Sequence, residues 1–177
     1  MRILVIDDRH ENRASAEELK AQHDVTIVGS TVEAAKQIAS GQYDVVLTDL
    51  FMPADKTPAF EGATFSYPFG KEQGTLVNFS KSWVGQDLPV GFSFAIRATL
   101  EGAKYVAIVT RDNHHGDPIS AQLDWFGRGR EFGKPSRRMD LNGSIFMIIR
   151  ALPRIRDSKI LDDKDWAAAL EDLLTDP

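Results

Sequence analysis

Apolar residues in this chain alternate between compact runs and helically spaced stretches. Ile3-Leu4-Val5-Ile6, Val45-Val46-Leu47 and Tyr105-Val106-Ala107-Ile108-Val109 are continuous and rich in β-branched residues. Such runs read as strands buried on both faces, as in a parallel sheet. Val25-Thr26-Ile27-Val28 reads as a short strand, the second in chain order. Between them the period changes to that of a helix. Glu11 to Gln22 has helix-forming composition, with Ala16 and Leu19 facing inward. Ser30 and Glu33 form a capping box ahead of Val32, Ala35, Ile38 and Ala39, and Gly41 supplies the stop. Pro89, preceded by Asp87, opens a helix with Phe92, Ala95, Ile96 and Leu100 on one face, and Gly102 ends it.

The second half continues the pattern. Pro118 to Phe126 predicts a short helix, and Arg128 to Lys134 takes the place of a fifth strand. Leu141, Ile145, Ile148, Ile149 and Leu152 recur at helical spacing, with Pro153 as the stop. An additional helix then begins at Asp162 as its cap, with Leu161 and Trp166 as a hydrophobic staple. Trp166, Leu170, Leu173 and Leu174 make its apolar stripe. Alternating strands and helices imply an α/β fold built on a parallel sheet.

One segment breaks the alternation. Residues 54–88 carry Pro58, Gly62, Pro68, Gly70, Gly74 and Gly85, together with Phe60, Phe65, Tyr67, Phe69, Phe79 and Trp83. Disordered linkers are poor in aromatics, so this insert is expected to be at least partly ordered, with a hairpin around Thr75 to Phe79. The expected organisation is a domain over residues 1–153 interrupted by the insert, followed by an extension over residues 154–177 with one helix. Rooted just beyond Met52-Pro53, the insert is expected to fold back and screen whatever chemistry lies at that strand end.

The runs end in polar groups. Asp7 and Asp8 follow the first, Asp49 the third, Thr110 the fourth, and Lys134-Pro135 closes the expected fifth. In open α/β sheets chemistry sits outside the carboxyl ends of the strands. An acid pair, then Asp-x-x-Met-Pro, then Thr, then Lys-Pro, each at a strand end and in this order, resembles the receiver domain of two-component response regulators. The resemblance covers about 1–53 and 89–152. It implies a doubly wound, flavodoxin-like, five-stranded parallel sheet in the order 2-1-3-4-5. It also implies a phosphoacceptor at Asp49, fed by a sensor histidine kinase or phosphotransfer protein. Mg²⁺ would be held by Asp8, Asp49 and the backbone carbonyl of Phe51, with Asp7 acting through water. Lys134 would hold a phosphate oxygen, and Thr110 would report the phosphorylated state. A receiver is not an enzyme in the ordinary sense, though it assists its own phosphorylation and dephosphorylation.

Any one of these residues alone reads as a turn residue, a helix cap or a surface lysine. Two departures bear on the switch: Glu131 stands where receivers carry an aromatic, and Arg111 follows Thr110 where they favour a small residue. They keep a second reading open, a pseudo-receiver that binds partners without cycling phosphate. A phosphatase of the haloacid-dehalogenase type needs a second acid two residues after the nucleophile, where this chain has Phe51. The glycine-rich turn of a dinucleotide-binding fold is also missing after the first run.

Composition narrows the partners. A net charge of -5 argues against nucleic acid. No apolar run approaches the length of a membrane span. With no cysteine, disulfides and thiol catalysis are excluded, and a reducing cytoplasm is the expected location. His114-His115 lacks a ligand constellation, and Arg128, Arg130, Arg137 and Arg138 read as a solvated basic face.

Overall fold

The computed structural model describes residues 1–53, 85–111, 138–151 and 153–175. Six strands form the main sheet: β1 (Arg2–Ile6), β2 (Asp24–Val28), β3 (Val45–Thr48), β6 (Tyr105–Thr110), β7 (Met139–Leu141) and β8 (Ser144–Arg150). Their spatial order is β2-β1-β3-β6-β8-β7. The first five are mutually parallel, and β7 joins β8 antiparallel at the edge. The expected sheet of five strands, all parallel, is corrected on both counts.

Alternating side chains along each central strand serve two cores, as a strand buried on both faces requires. Ile3, Val5, Val45, Leu47, Ala107, Val109, Met147 and Ile149 point to one. That core is closed by Ala16 of α1 (His10–Ala16) and by Trp166, Ala169, Leu170 and Leu173 of α4 (Trp166–Leu174). Leu4, Ile6, Val46, Ile108, Phe146 and Ile148 point to the other. It is closed by Ala34 and Ile38 of α2 (Thr31–Ile38), and by Phe94, Ala95 and Ala98 of α3 (Val90–Leu100).

The largest departure from expectation lies at residues 141–152. The apolar spacing predicts a helix, yet this stretch holds the last parallel strand. Ile145 to Ile149 is also an unbroken apolar run, and periodicity alone does not separate a buried strand from a helix. The deciding signal is Asn142-Gly143. Both residues have positive φ, 55° and 78°. This is the turn that joins two strands directly. A second such turn, Asp157-Ser158 with φ 49° and 62°, joins β9 (Pro153–Arg156) to β10 (Lys159–Lys164) in an antiparallel hairpin. Pro153 therefore opens a strand rather than ending a helix, and residues 161–164 lie in β10 rather than at a helix start. The cap of α4 is Asp165, whose side chain accepts from Ala168 N at 2.9 Å.

Smaller corrections follow the same logic. The first helix ends at Ala16 and tightens into a 3₁₀ turn at Glu17–Ala21. Val32, Phe92 and Leu100, expected inside, are exposed. Ser30 caps α2 as expected, accepting from Glu33 N at 3.2 Å. The helix predicted over 118–126, the strand over 128–134, His114-His115 and the hairpin around 75–79 lie outside the described residues. Met52–Pro53 (β4) pairs antiparallel with Asp87–Leu88 (β5), so the two roots of the insert are cross-strand neighbours.

Candidate acid–lysine site

Strands β1 and β3 are adjacent and parallel, with Ile6 opposite Thr48. The residues just past them, Asp7 and Asp49, therefore emerge side by side. Parallel pairing continues one step beyond β3, where Asp49 N donates to Ile6 O at 2.8 Å. Asp7, Asp8 and Asp49 each bring a carboxylate oxygen within 4.8 Å of the others. Asp7 is fully buried, Asp49 is 7% exposed, and Asp8 is partly open.

The cation among them is Lys164. Its Nζ lies 2.8 Å from Asp7 Oδ2 and 2.7 Å from Asp49 Oδ1, and its side chain is 2% exposed. Lys134, the lysine expected here, lies outside the described residues. Lys164 is the residue that sequence reasoning missed. Its signal becomes visible once 144–150 is read as the fifth parallel strand: Lys164 then directly precedes the last amphipathic helix. The β9–β10 hairpin inserted between that strand and the lysine hid the relation.

Each acid sits in a different environment. Asp7 Oδ1 accepts from Arg9 N at 2.9 Å and from Asn12 Nδ2 at 3.0 Å. Its Oδ2 accepts from Asn12 Nδ2 at 3.0 Å and from Lys164. Asp49 Oδ1 accepts from Leu50 N at 2.7 Å as well as from Lys164, while no described residue donates to its Oδ2. Burial pushes the Asp49 carboxyl up to about 7; Lys164 opposes this and the charge of Asp7 adds to it. The carboxyl of Asp8 is also raised, first by burial and then by Asp7.

Close packing fixes the frame. A Cβ on Gly91 would fall 1.8 Å from Asp49 O, and Gly91 N donates to Leu50 O at 3.0 Å. The first turn of α3 thus lies directly on the Asp49 backbone. Arg13 reaches back to the carbonyls of Asp7, at 3.0 Å, and of Asp8. Its guanidinium fills the space a side chain at Gly29 would take, with Nη1 at 2.6 Å from that Cβ.

Thr110 ends β6, opposite Arg150 and partly buried, on the strand next to β3. Phe51 packs partly buried against the Leu4–Ile6 face of the core. Arg111 bonds Asp162 Oδ1 at 2.6 Å, Arg9 holds the other oxygen of Asp162 at 3.0 Å, and Arg111 Nη1 is buried with no described partner. Glu131 lies outside the described residues.

Three carboxylates against one ammonium leave a net charge of -2 if all are ionised. That suits a divalent cation, and a small hard ion such as Mg²⁺ prefers oxygen ligands of this kind. The acids are thus able to hold a metal ion. No helix among the described residues is long and apolar enough to cross a membrane. Comparison with protein-family models, with curated proteins and with solved structures finds no match for this chain.

Proposed function

We propose that the chain is a phosphoacceptor receiver of the two-component type, with a flavodoxin-like sheet and Asp49 as the acceptor. The observation that carries this reading is the ion pair between Lys164 and Asp49 within the acid cluster, at the carboxyl ends of β1 and β3. Phosphoryl transfer needs a positioned oxygen and concentrated positive charge, with little covalent help from the protein. Asp49 Oδ2, which no described residue occupies, is the attacking atom. It forms the O–P bond as the N–P bond of a phosphohistidine donor breaks; the electron pair stays on the imidazole, which takes up a proton. Lys164 then moves its charge from Asp49 Oδ1 to a phosphoryl oxygen, acting as a point charge. This is the role the sequence resemblance gave to Lys134.

Asp8 and Asp49 would be the direct carboxylate ligands for Mg²⁺, with the Phe51 carbonyl as a third. When bound, the ion neutralises the charge that develops on the phosphoryl group. Thr110, at the end of the neighbouring strand β6, would bond the attached group, the role the resemblance gives it.

The test is incubation with Mg²⁺ and acetyl phosphate, read by intact mass and peptide mapping. One phosphoryl group on Asp49 is expected. Asp49→Asn and Lys164→Ala should abolish labelling, and Lys134→Ala should leave it. Loss of labelling in Lys134→Ala with retention in Lys164→Ala would reverse the assignment of the lysine. A wild-type chain that stays unlabelled would give way to the pseudo-receiver reading. The departures at Arg111 and Glu131 are what favour that alternative.

A further inference from the structure

We propose that Asn12 is the positioning residue that ties Lys164 to the acid cluster, an inference that rests on the proposed phosphoacceptor reading for its kinetic part only. Asn12 is 1% exposed and spends both ends of its side-chain amide on the site. Its Nδ2 lies 3.0 Å from both oxygens of Asp7, and its Oδ1 accepts from Lys164 N at 3.1 Å. The amide has only one workable orientation here. The backbone N–H of Lys164 can only donate, and a carboxylate can only accept, so the oxygen must face the lysine and the nitrogen the acid. Its backbone joins as well, with Asn12 O accepting from Trp166 Nε1 at 2.8 Å and Ser15 Oγ at 2.8 Å. Ser15 Oγ also lies 3.0 Å from Lys164 O.

The consequence is a division of labour among the acids. Asp7 has both oxygens engaged by protein donors, from Arg9, Asn12 and Lys164. It serves as the anchor that holds the ammonium in register, leaving Asp8 and Asp49 to the metal and the phosphoryl group. Asn12 fixes the lysine at both ends, at the backbone directly and at Nζ through Asp7. This linkage ties to the site a lysine that arrives from the end of the β9–β10 hairpin rather than from a strand of the main sheet.

The test compares wild type, Asn12→Ala and Asn12→Asp in the full chain; Asn12→Asp keeps an acceptor for Lys164 N and loses the donor to Asp7. Two readouts are used: the ¹⁵Nζ signal of Lys164, visible only for an ammonium shielded from water exchange, and the acetyl phosphate labelling rate at saturating Mg²⁺. In Asn12→Ala the Lys164 signal should vanish and the rate should fall about 10- to 100-fold, the range for loss of a partner that orients a ligand. The Mg²⁺ Kd should change less than the rate, because the direct ligands remain. A folded Asn12→Ala that keeps both signal and rate overturns the proposal. If Asn12→Ala does not fold, Asn12→Asp decides: a folded Asn12→Asp that keeps both the Lys164 signal and the rate overturns it. If wild type itself never labels, the phosphoacceptor reading fails, and the Lys164 signal alone still decides the role of Asn12.

Discussion

Asp49 carries a cost that its position makes necessary. Its carboxyl is almost fully buried, and burial lifts it from the ordinary 3.8 to about 7. The folded chain therefore binds this proton more tightly than the unfolded chain. The stabilising difference is fully present below about pH 4 and is lost as the pH rises through about 7. Its size is on the order of 4 kcal/mol, at about 1.4 kcal/mol per pH unit of displacement. Asp8 is displaced in the same direction. In the absence of divalent cations, urea unfolding from pH 4 to 8 should show falling stability in wild type and a flatter profile in Asp49→Asn. Equal slopes in the two proteins would remove Asp49 as the cause. Lys164 is the counterpart. Lys164→Met leaves two buried carboxylates facing each other, a loss of about 3–5 kcal/mol at neutral pH, and saturating Mg²⁺ should return part of it. The acids were legible in the sequence because a carboxylate at the end of an apolar run is a local feature. The lysine was not. Lys164 meets Asp7 across 157 residues, and nothing local distinguishes it from a surface lysine.

Among the elements, α3 shows how a helix is positioned by one residue. The sequence placed its start near Pro89 correctly and its buried face only in part, since Ala95 alone of the four expected residues is fully buried. Phe92 and Leu100 face solvent, while Gly91, Phe94, Ala95 and Ala98 face inward. The reason lies outside the periodicity: only a residue without Cβ lets the helix meet the Asp49 carbonyl, and that contact sets the rotation. Gly91→Ala must push the helix and the Asp49 backbone apart. Overpacking of this kind costs about 1–3 kcal/mol. Cation binding, followed by titration calorimetry, should weaken more than a remote change of equal cost, such as Ala169→Gly in α4. Equal weakening in the two would separate Gly91 from the site. The strand at 144–150 makes the same point about context. Its five consecutive apolar residues satisfy either period, and the Asn142-Gly143 turn decides between them. Asn142→Ala should destabilise the hairpin, because φ near +55° is unfavourable for a residue with an ordinary Cβ.

At the scale of the whole molecule, the striking economy is in how the chain leaves and re-enters the domain around residues 54–84. The class of fold was legible because four of the five parallel strands, β1, β2, β3 and β6, are evident as short runs in the sequence, while β8 was read as a helix. The insert was legible only as a break in alternation. Its roots are more informative: Met52 is paired with Leu88 and Pro53 with Asp87. The described contacts of the sheet, the two apolar cores and the acid–lysine site are those among residues 1–53, 85–111, 138–151 and 153–175. Two cross-strand neighbours need only a short turn to join them. Replacing residues 54–84 with a four-residue Gly/Asn turn should therefore yield a folded chain. Circular dichroism and urea unfolding check the fold, and calorimetry with Mg²⁺ checks the acids. A shortened chain that folds and binds Mg²⁺ as wild type does, yet shows an altered acyl phosphate lifetime on Asp49, would give the insert a part in the chemistry at whose mouth it is rooted. A shortened chain that fails to fold would mean that the two cores depend on the insert.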